Sequence, residues 1–122
     1  MDQRTPLVAI VDDDPSVCRG LSRLVGSLGC PTVVFQSGEG LRAGCASMRP
    51  DHVLVDLHMP GLRGPALISA LKDRNPSLRI TVMTGLDQPG AREACLGAGA
   101  VGYVLKPLSA RDLSRILGLA SA

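Results

Sequence analysis

The chain has no tryptophan, one phenylalanine (Phe35) and one tyrosine (Tyr103). Any core must therefore be aliphatic and rich in alanine. No apolar run approaches the length that spans a bilayer. Nothing near the N-terminus is built like a secretory signal: residues 2–6 are polar, and Leu7–Val11 is too short for the apolar region. Among the four cysteines, Cys18, Cys30, Cys45 and Cys95, no two stand at C-x-x-C spacing and none has a histidine at zinc-finger spacing, which argues against the common zinc modules. A chain of this size needs no covalent staples, so reduced thiols are expected, with Cys18, Cys45 and Cys95 on apolar helix stripes. Lysine is scarce, two against eleven arginines, and the net charge is only +2. That balance gives no argument for direct binding to nucleic acid or to a membrane surface. Linkers and low-complexity segments are also missing. What these absences leave is one soluble, cytoplasmic domain over residues 1–122, with its folded core at about 7–119 and no output domain within it.

What is present is a regular alternation. Apolar residues make up 45% of the chain, enough to fold it. Leu7–Val11 reads as a strand, and Asp14-Pro15 then starts a helix as N-cap and first helical residue. That helix runs to about Leu28, with Val17, Leu21, Leu24, Val25 and Leu28 as its buried stripe and Gly29 as its stop. Thr32–Phe35 is a second strand. Ser37 caps a second helix to about Ser47, with Leu41 and Cys45 inward, weakened by Gly38, Gly40 and Gly44. Val53–Val55 has no polar alternation, as in a parallel strand covered on both faces, and runs into Asp56. Pro60-Gly61 suits the centre of a type II turn.

The spacing predicts a third helix over 65–74 with Leu67, Ile68 and Leu71 inward, and a strand over 79–83 closing on Thr84-Gly85. A fourth helix is predicted over 88–98 with Ala91, Ala94, Cys95 and Ala98 inward, and a fifth strand over 101–105 ending at Lys106-Pro107. Ser109 caps a last helix with Leu113, Ile116 and Leu117 inward and Arg111 and Arg115 outward. Strands separated by helices imply parallel pairing and right-handed crossovers. At this length the expected solution is an open, doubly wound α/β sheet, since a closed eight-stranded barrel needs about twice the chain.

In a parallel sheet all carboxyl ends lie on one edge, where ligands bind. Strand one here ends in Asp12-Asp13, strand three in Asp56, strand four in Thr84 and strand five in Lys106. Two carboxylates about 4 Å apart repel by roughly 4 kcal/mol at an effective dielectric near 20. Such a cluster must bind a cation, take up a proton or splay apart. Carboxylate oxygens without Cys or His favour a hard ion, and a few carboxylates with a carbonyl and waters suit Mg²⁺. A divalent ion facing a lysine and a hydroxyl is a place to hold a phosphoryl group, with Asp56 either a ligand or a nucleophile that forms an acyl phosphate. Read one by one, the residues also have plainer roles. Asp14 is a cap, Thr84 a strand end, Tyr103 a half-buried strand aromatic, and His52 and His58 surface or turn residues.

The motifs Val11-Asp12-Asp13-Asp14, Val55-Asp56-Leu57-His58-Met59-Pro60-Gly61, Val82-Met83-Thr84-Gly85 and Gly99–Pro107, in this order and each at a strand end, resemble those of the receiver domains of bacterial two-component response regulators. The resemblance covers residues 7–119. It implies a flavodoxin-like (βα)5 fold with a five-stranded parallel sheet in the order 2-1-3-4-5. By the same resemblance Asp56 accepts a phosphoryl group from a histidine kinase. Asp13, Asp56 and the backbone carbonyl of His58 bind Mg²⁺ directly, and Asp12 binds it through water. Lys106 contacts the phosphoryl oxygens, Thr84 moves in to hydrogen-bond them, and Tyr103 turns inward behind it. A cis Lys106–Pro107 bond, and a partner or dimer face on the fourth helix, fifth strand and fifth helix, are also implied.

Some residues depart from the pattern. Arg63 stands where an acidic or small polar residue is commoner, and His58 and Leu86 occupy positions that tune dephosphorylation in relatives. Gly90 and Gly97 weaken the fourth helix. The leading expectation is a phosphorylation-driven signalling switch rather than a turnover enzyme. Its competitor is a degenerate receiver that only docks, against which the complete set of Asp13, Asp56, Thr84 and Lys106 argues. A phosphohydrolase would want a second acid where His58 stands, and a flavodoxin-like cofactor carrier a phosphate loop where three acids stand.

Overall fold

The computed structural model describes residues 5–58 and 64–119. The expected turn at Pro60-Gly61 and the cation at Arg63 lie outside them. Strands and helices alternate: β1 Val8–Val11, α1 Pro15–Ser27, β2 Thr32–Phe35, α2 Gly38–Met48, β3 His52–Asp56, α3 Gly64–Arg74, β4 Arg79–Thr84, α4 Ala91–Ala98, β5 Gly102–Leu105 and α5 Ala110–Ile116. All four strand pairings are parallel, and the order is β2-β1-β3-β4-β5, as the resemblance implied.

The two faces of the sheet follow from the two-residue period of a strand. Ala9, Val11, Val53, Val55, Ile80, Val82 and Tyr103 pack with Leu41, Leu67, Ile68, Leu71 and Cys95 of α2, α3 and α4. Val8, Ile10, Leu54 and Met83 pack with Cys18, Leu21, Val25 and Leu113 of α1 and α5. All four thiols are free. Helix starts obey local chemistry. Asp14 accepts hydrogen bonds from the Ser16 amide and hydroxyl, Ser37 accepts from the Gly40 amide, and Ser109 forms a capping box with Asp112. The Lys106–Pro107 bond is cis.

Four expectations are corrected. The fourth helix begins at Ala91, not at 88, because Gly90 takes a left-handed φ of 81° that no helix can include. Ala94 is exposed on that helix, while Cys95 takes the inner position. His52 is no surface residue: it opens β3, 2% exposed, with Nε2 hydrogen-bonded to Thr81 Oγ1 at 2.9 Å. Gly44 is more than a weak spot in α2, since a Cβ there would stand 2.3 Å from Phe35 Cζ. The ring occupies the space the glycine leaves, so the helix lies close over β2 only because that side chain is absent.

Candidate functional site

The chain leaves β1 toward β2 on one side and later returns as β3 on the other. A crevice therefore opens between the carboxyl ends of β1 and β3. The register pairs Val11 with Val55, so the next residues, Asp12 and Asp56, emerge side by side. Asp12, Asp13 and Asp56 each offer a carboxylate oxygen, and these oxygens lie within 4.8 Å of one another. Asp12 and Asp56 are buried, 1% and 7% exposed, while Asp13 faces solvent.

β5 delivers the counter-charge. The Lys106 amide donates to the Thr84 carbonyl at 2.8 Å, which ties the end of β5 to the end of β4. From there Lys106 Nζ reaches across the sheet edge to Asp12 Oδ2 at 2.7 Å and Asp56 Oδ1 at 3.3 Å. Burial alone would lower the lysine pKa, but its hydrogen bond to Asp12 and the charge of Asp56 outweigh that and hold it above the ordinary value. One ammonium thus faces two buried carboxylates with a third beside them. Oxygen donors with no thiol or imidazole among them fit a hard divalent cation such as Mg²⁺.

The remaining expected residues stand on β4, on β5 and in the turn after β3. Thr84 ends β4 and is fully buried. Its hydroxyl donates to the Leu86 carbonyl at 2.8 Å and accepts from the Leu86 amide at 3.1 Å. Tyr103 lies inward, 8% exposed, and its hydroxyl donates to Asp87 Oδ1 at 2.8 Å. His58 stands in the turn after β3 with its side chain exposed.

Sequence reasoning missed three supports. The Asp14 amide donates to Asp12 Oδ1 at 2.9 Å, and the Cys18 thiol to the Asp12 carbonyl at 3.3 Å; together they fix the buried acid from both ends. Asp87, the acceptor for Tyr103, was missed as well. No spacing rule links a loop acid to a tyrosine sixteen positions on. The thiol had a faint signal in its place on the apolar stripe of α1.

Acids from the ends of two strands, a lysine from a third and a threonine at the end of a fourth, on a 2-1-3-4-5 parallel sheet, define a receiver-type α/β domain. The response regulator receiver domain family matches residues 8–117, and the chain belongs to that family. It is 36% identical over 101 residues to the DNA-binding transcriptional regulator NtrC of Salmonella typhimurium, an alignment covering 83% of this chain and 22% of NtrC. With the positive alginate biosynthesis regulatory protein of Pseudomonas aeruginosa it shares 38% over 117 residues, covering 93% of this chain and 46% of that protein. The chain thus spans less than half the length of either relative. The chemotaxis protein CheY4 of Vibrio cholerae has the same fold, with a TM-score of 0.87 at 22% identity, covering 94% of this chain and 98% of CheY4. Among the described residues no helix is long and apolar enough to cross a membrane.

Proposed function

We propose that this domain is a phosphorylation-operated signalling switch whose acceptor is Asp56. The observation that carries this reading is the bridging of Asp12 and Asp56 by Lys106 Nζ, with Asp13 beside them. Asp13, Asp56 and the His58 carbonyl would hold Mg²⁺ directly and Asp12 through water. The ion, when bound, neutralises charge on the transferring phosphoryl group.

The chain's own residues do the rest. An Asp56 oxygen forms the new P–O bond as the P–N bond of a phosphohistidine donor breaks, and the departing imidazole keeps the electron pair and takes a proton. Phosphoryl transfer asks for positioning and charge neutralisation more than for protein covalent chemistry. Lys106, already at the site, stays paired with the growing negative charge. Thr84 must release the Leu86 carbonyl to donate to a phosphoryl oxygen, because a hydroxyl has one proton to give.

Moving a two-state domain from 1:99 to 99:1 takes about 5.5 kcal/mol. Hydrogen bonds to charged groups contribute roughly 1.5–3 kcal/mol each, and only the excess over the bonds that Thr84 and Lys106 already make, to the Leu86 carbonyl and to Asp12 and Asp56, counts toward switching. The chain's role is then signalling and not turnover of an external substrate. Its phosphodonor is a histidine kinase, and its readout is a partner or a second copy bound at α4, β5 and α5. On that face Leu105 and Val101 are 55% and 47% exposed. Direct contact with nucleic acid is not part of this domain's role.

Incubation with Mg²⁺ and acetyl phosphate should add the mass of one phosphate, and Asp56→Asn should abolish the adduct while leaving the fold intact. An unmodified, folded wild-type chain would turn the assignment to a receiver that only docks. Light scattering with Mg²⁺ and beryllofluoride tests dimerisation, and an unchanged monomer mass argues against it.

A further inference from the structure

The loop between β4 and α4, residues 85–90, is tied down by two side chains from the sheet. Thr84 holds Leu86 through both of its backbone polar groups, and Tyr103 holds the side chain of Asp87. Apart from these ties, Gly90, which precedes α4, offers no side-chain cap, the Gln88 carbonyl accepts from the Ala91 amide at 3.1 Å, and Gly85 to Gly90 are all exposed. The two ties are in different conditions. Thr84 spends its one hydroxyl proton on its own loop, at the Leu86 carbonyl. Tyr103 nevertheless lies inward already, its ring packed in the cluster under α3 and α4. No phosphoryl group is needed to account for that position. The buried ring has apolar neighbours, and its hydroxyl, at the surface end of the ring, has the Asp87 carboxylate as its acceptor.

We propose that Asp87 is a positioning residue that holds Tyr103 in the inward position before phosphorylation, so that the tyrosine half of the switch is preset and the phosphoryl group has only the threonine and its loop left to move. This rests on the phosphorylation reading above. It departs from the expectation that Tyr103 turns inward in response to Thr84. Pre-seating the ring removes one rearrangement from the activating change, and a conformer already populated need not be selected at a cost in apparent affinity.

The test uses a convenience of composition. With one tyrosine and no tryptophan, acrylamide quenching of the intrinsic emission reports Tyr103 alone. In the wild-type chain the quenching should be weak and should not change when Mg²⁺ and beryllofluoride are added. In Asp87→Ala the inward-to-outward ratio should fall about fivefold, the share of one ordinary hydrogen bond. The free protein then becomes more quenchable, and beryllofluoride should restore the shielding. Asp87→Asn, which keeps an oxygen acceptor, should behave nearly as wild type, which a merely structural loop acid would not require. Wild-type emission that becomes markedly better shielded on loading would overturn the proposal, as would an Asp87→Ala protein as shielded as wild type. Asp87 is exposed in a loop; if the alanine variant does not fold, the wild-type and Asp87→Asn comparisons still decide. Failure of wild type to load beryllofluoride would strike the phosphorylation reading instead, and the quenching of the free variants would then judge Asp87 by itself.

Discussion

β3 begins in a buried histidine and ends in a buried aspartate, and the two ends of this one strand handle polarity in opposite ways. At the amino end His52 is kept neutral. Burial, and then the neighbouring charge of Arg79, push its pKa down to about 4, and Thr81 satisfies its ring nitrogen. At the carboxyl end charge is gathered rather than removed, with three acids close together and one lysine among them. The amino end is arranged as a protein interior ordinarily is, with buried polar groups paired and uncharged. The carboxyl end carries an excess of negative charge that folding alone does not call for. The contrast is the one the proposed cation and phosphoryl site calls for: charge left unrelieved at the carboxyl edge, and polarity paired off at the amino end.

Replacing Lys106 should show the contrast most strongly. Lys106→Ala leaves Asp12 and Asp56 buried without their cation and should destabilise the Mg²⁺-free domain by about 3 kcal/mol in urea unfolding. Added Mg²⁺ should return part of that. If Mg²⁺ returns none, the carboxyl edge is not a cation site.

At the other end the effect depends on pH. The His52 pKa is lower folded than unfolded, so its contribution is present above about pH 6.5 and is lost as pH falls toward about 4. Between pH 7 and pH 5 the loss should be roughly 2 kcal/mol, about 1.4 kcal/mol for each pH unit in which only the unfolded state takes up the proton. The difference between wild type and His52→Asn in urea unfolding should follow this window, and parallel pH profiles would mean the ring is solvated.

Asp13→Asn should separate binding from stability. Mg²⁺ affinity, read by calorimetry, should fall tenfold or more, because a charged ligand becomes neutral. Unfolding free energy should rise by less than about 1 kcal/mol, since one exposed charge leaves a crowded cluster. A loss of stability on this change would contradict the idea that the acids are held together at a cost.

A last pair of changes, in two helices, checks whether position, more than residue type, sets the energy elsewhere too. Gly97→Ala meets nothing within 4 Å and should gain up to about 1 kcal/mol of thermal stability from helix propensity. Gly44→Ala carries the same propensity gain but drives a methyl into Phe35, and should lose about 1–3 kcal/mol.

The sequence by itself determined the alternation of strands and helices, most helix starts and stops, and the inner faces of α1, α3 and α5. These rest on local rules: apolar spacing, capping carboxylates and hydroxyls, and glycine where φ turns positive. It also put Asp12, Asp13, Asp56, Thr84 and Lys106 at strand ends, because a parallel sheet sends every carboxyl end to one edge. Tertiary structure alone decided what a strand end faces across the sheet: that Lys106 lands on Asp12 and Asp56, that His52 finds Thr81, that Tyr103 finds Asp87, and that Phe35 fills the space over Gly44. Each of these pairs joins residues from different elements. Their meeting depends on strand register and helix placement, which packing of the whole chain sets and no local pattern records.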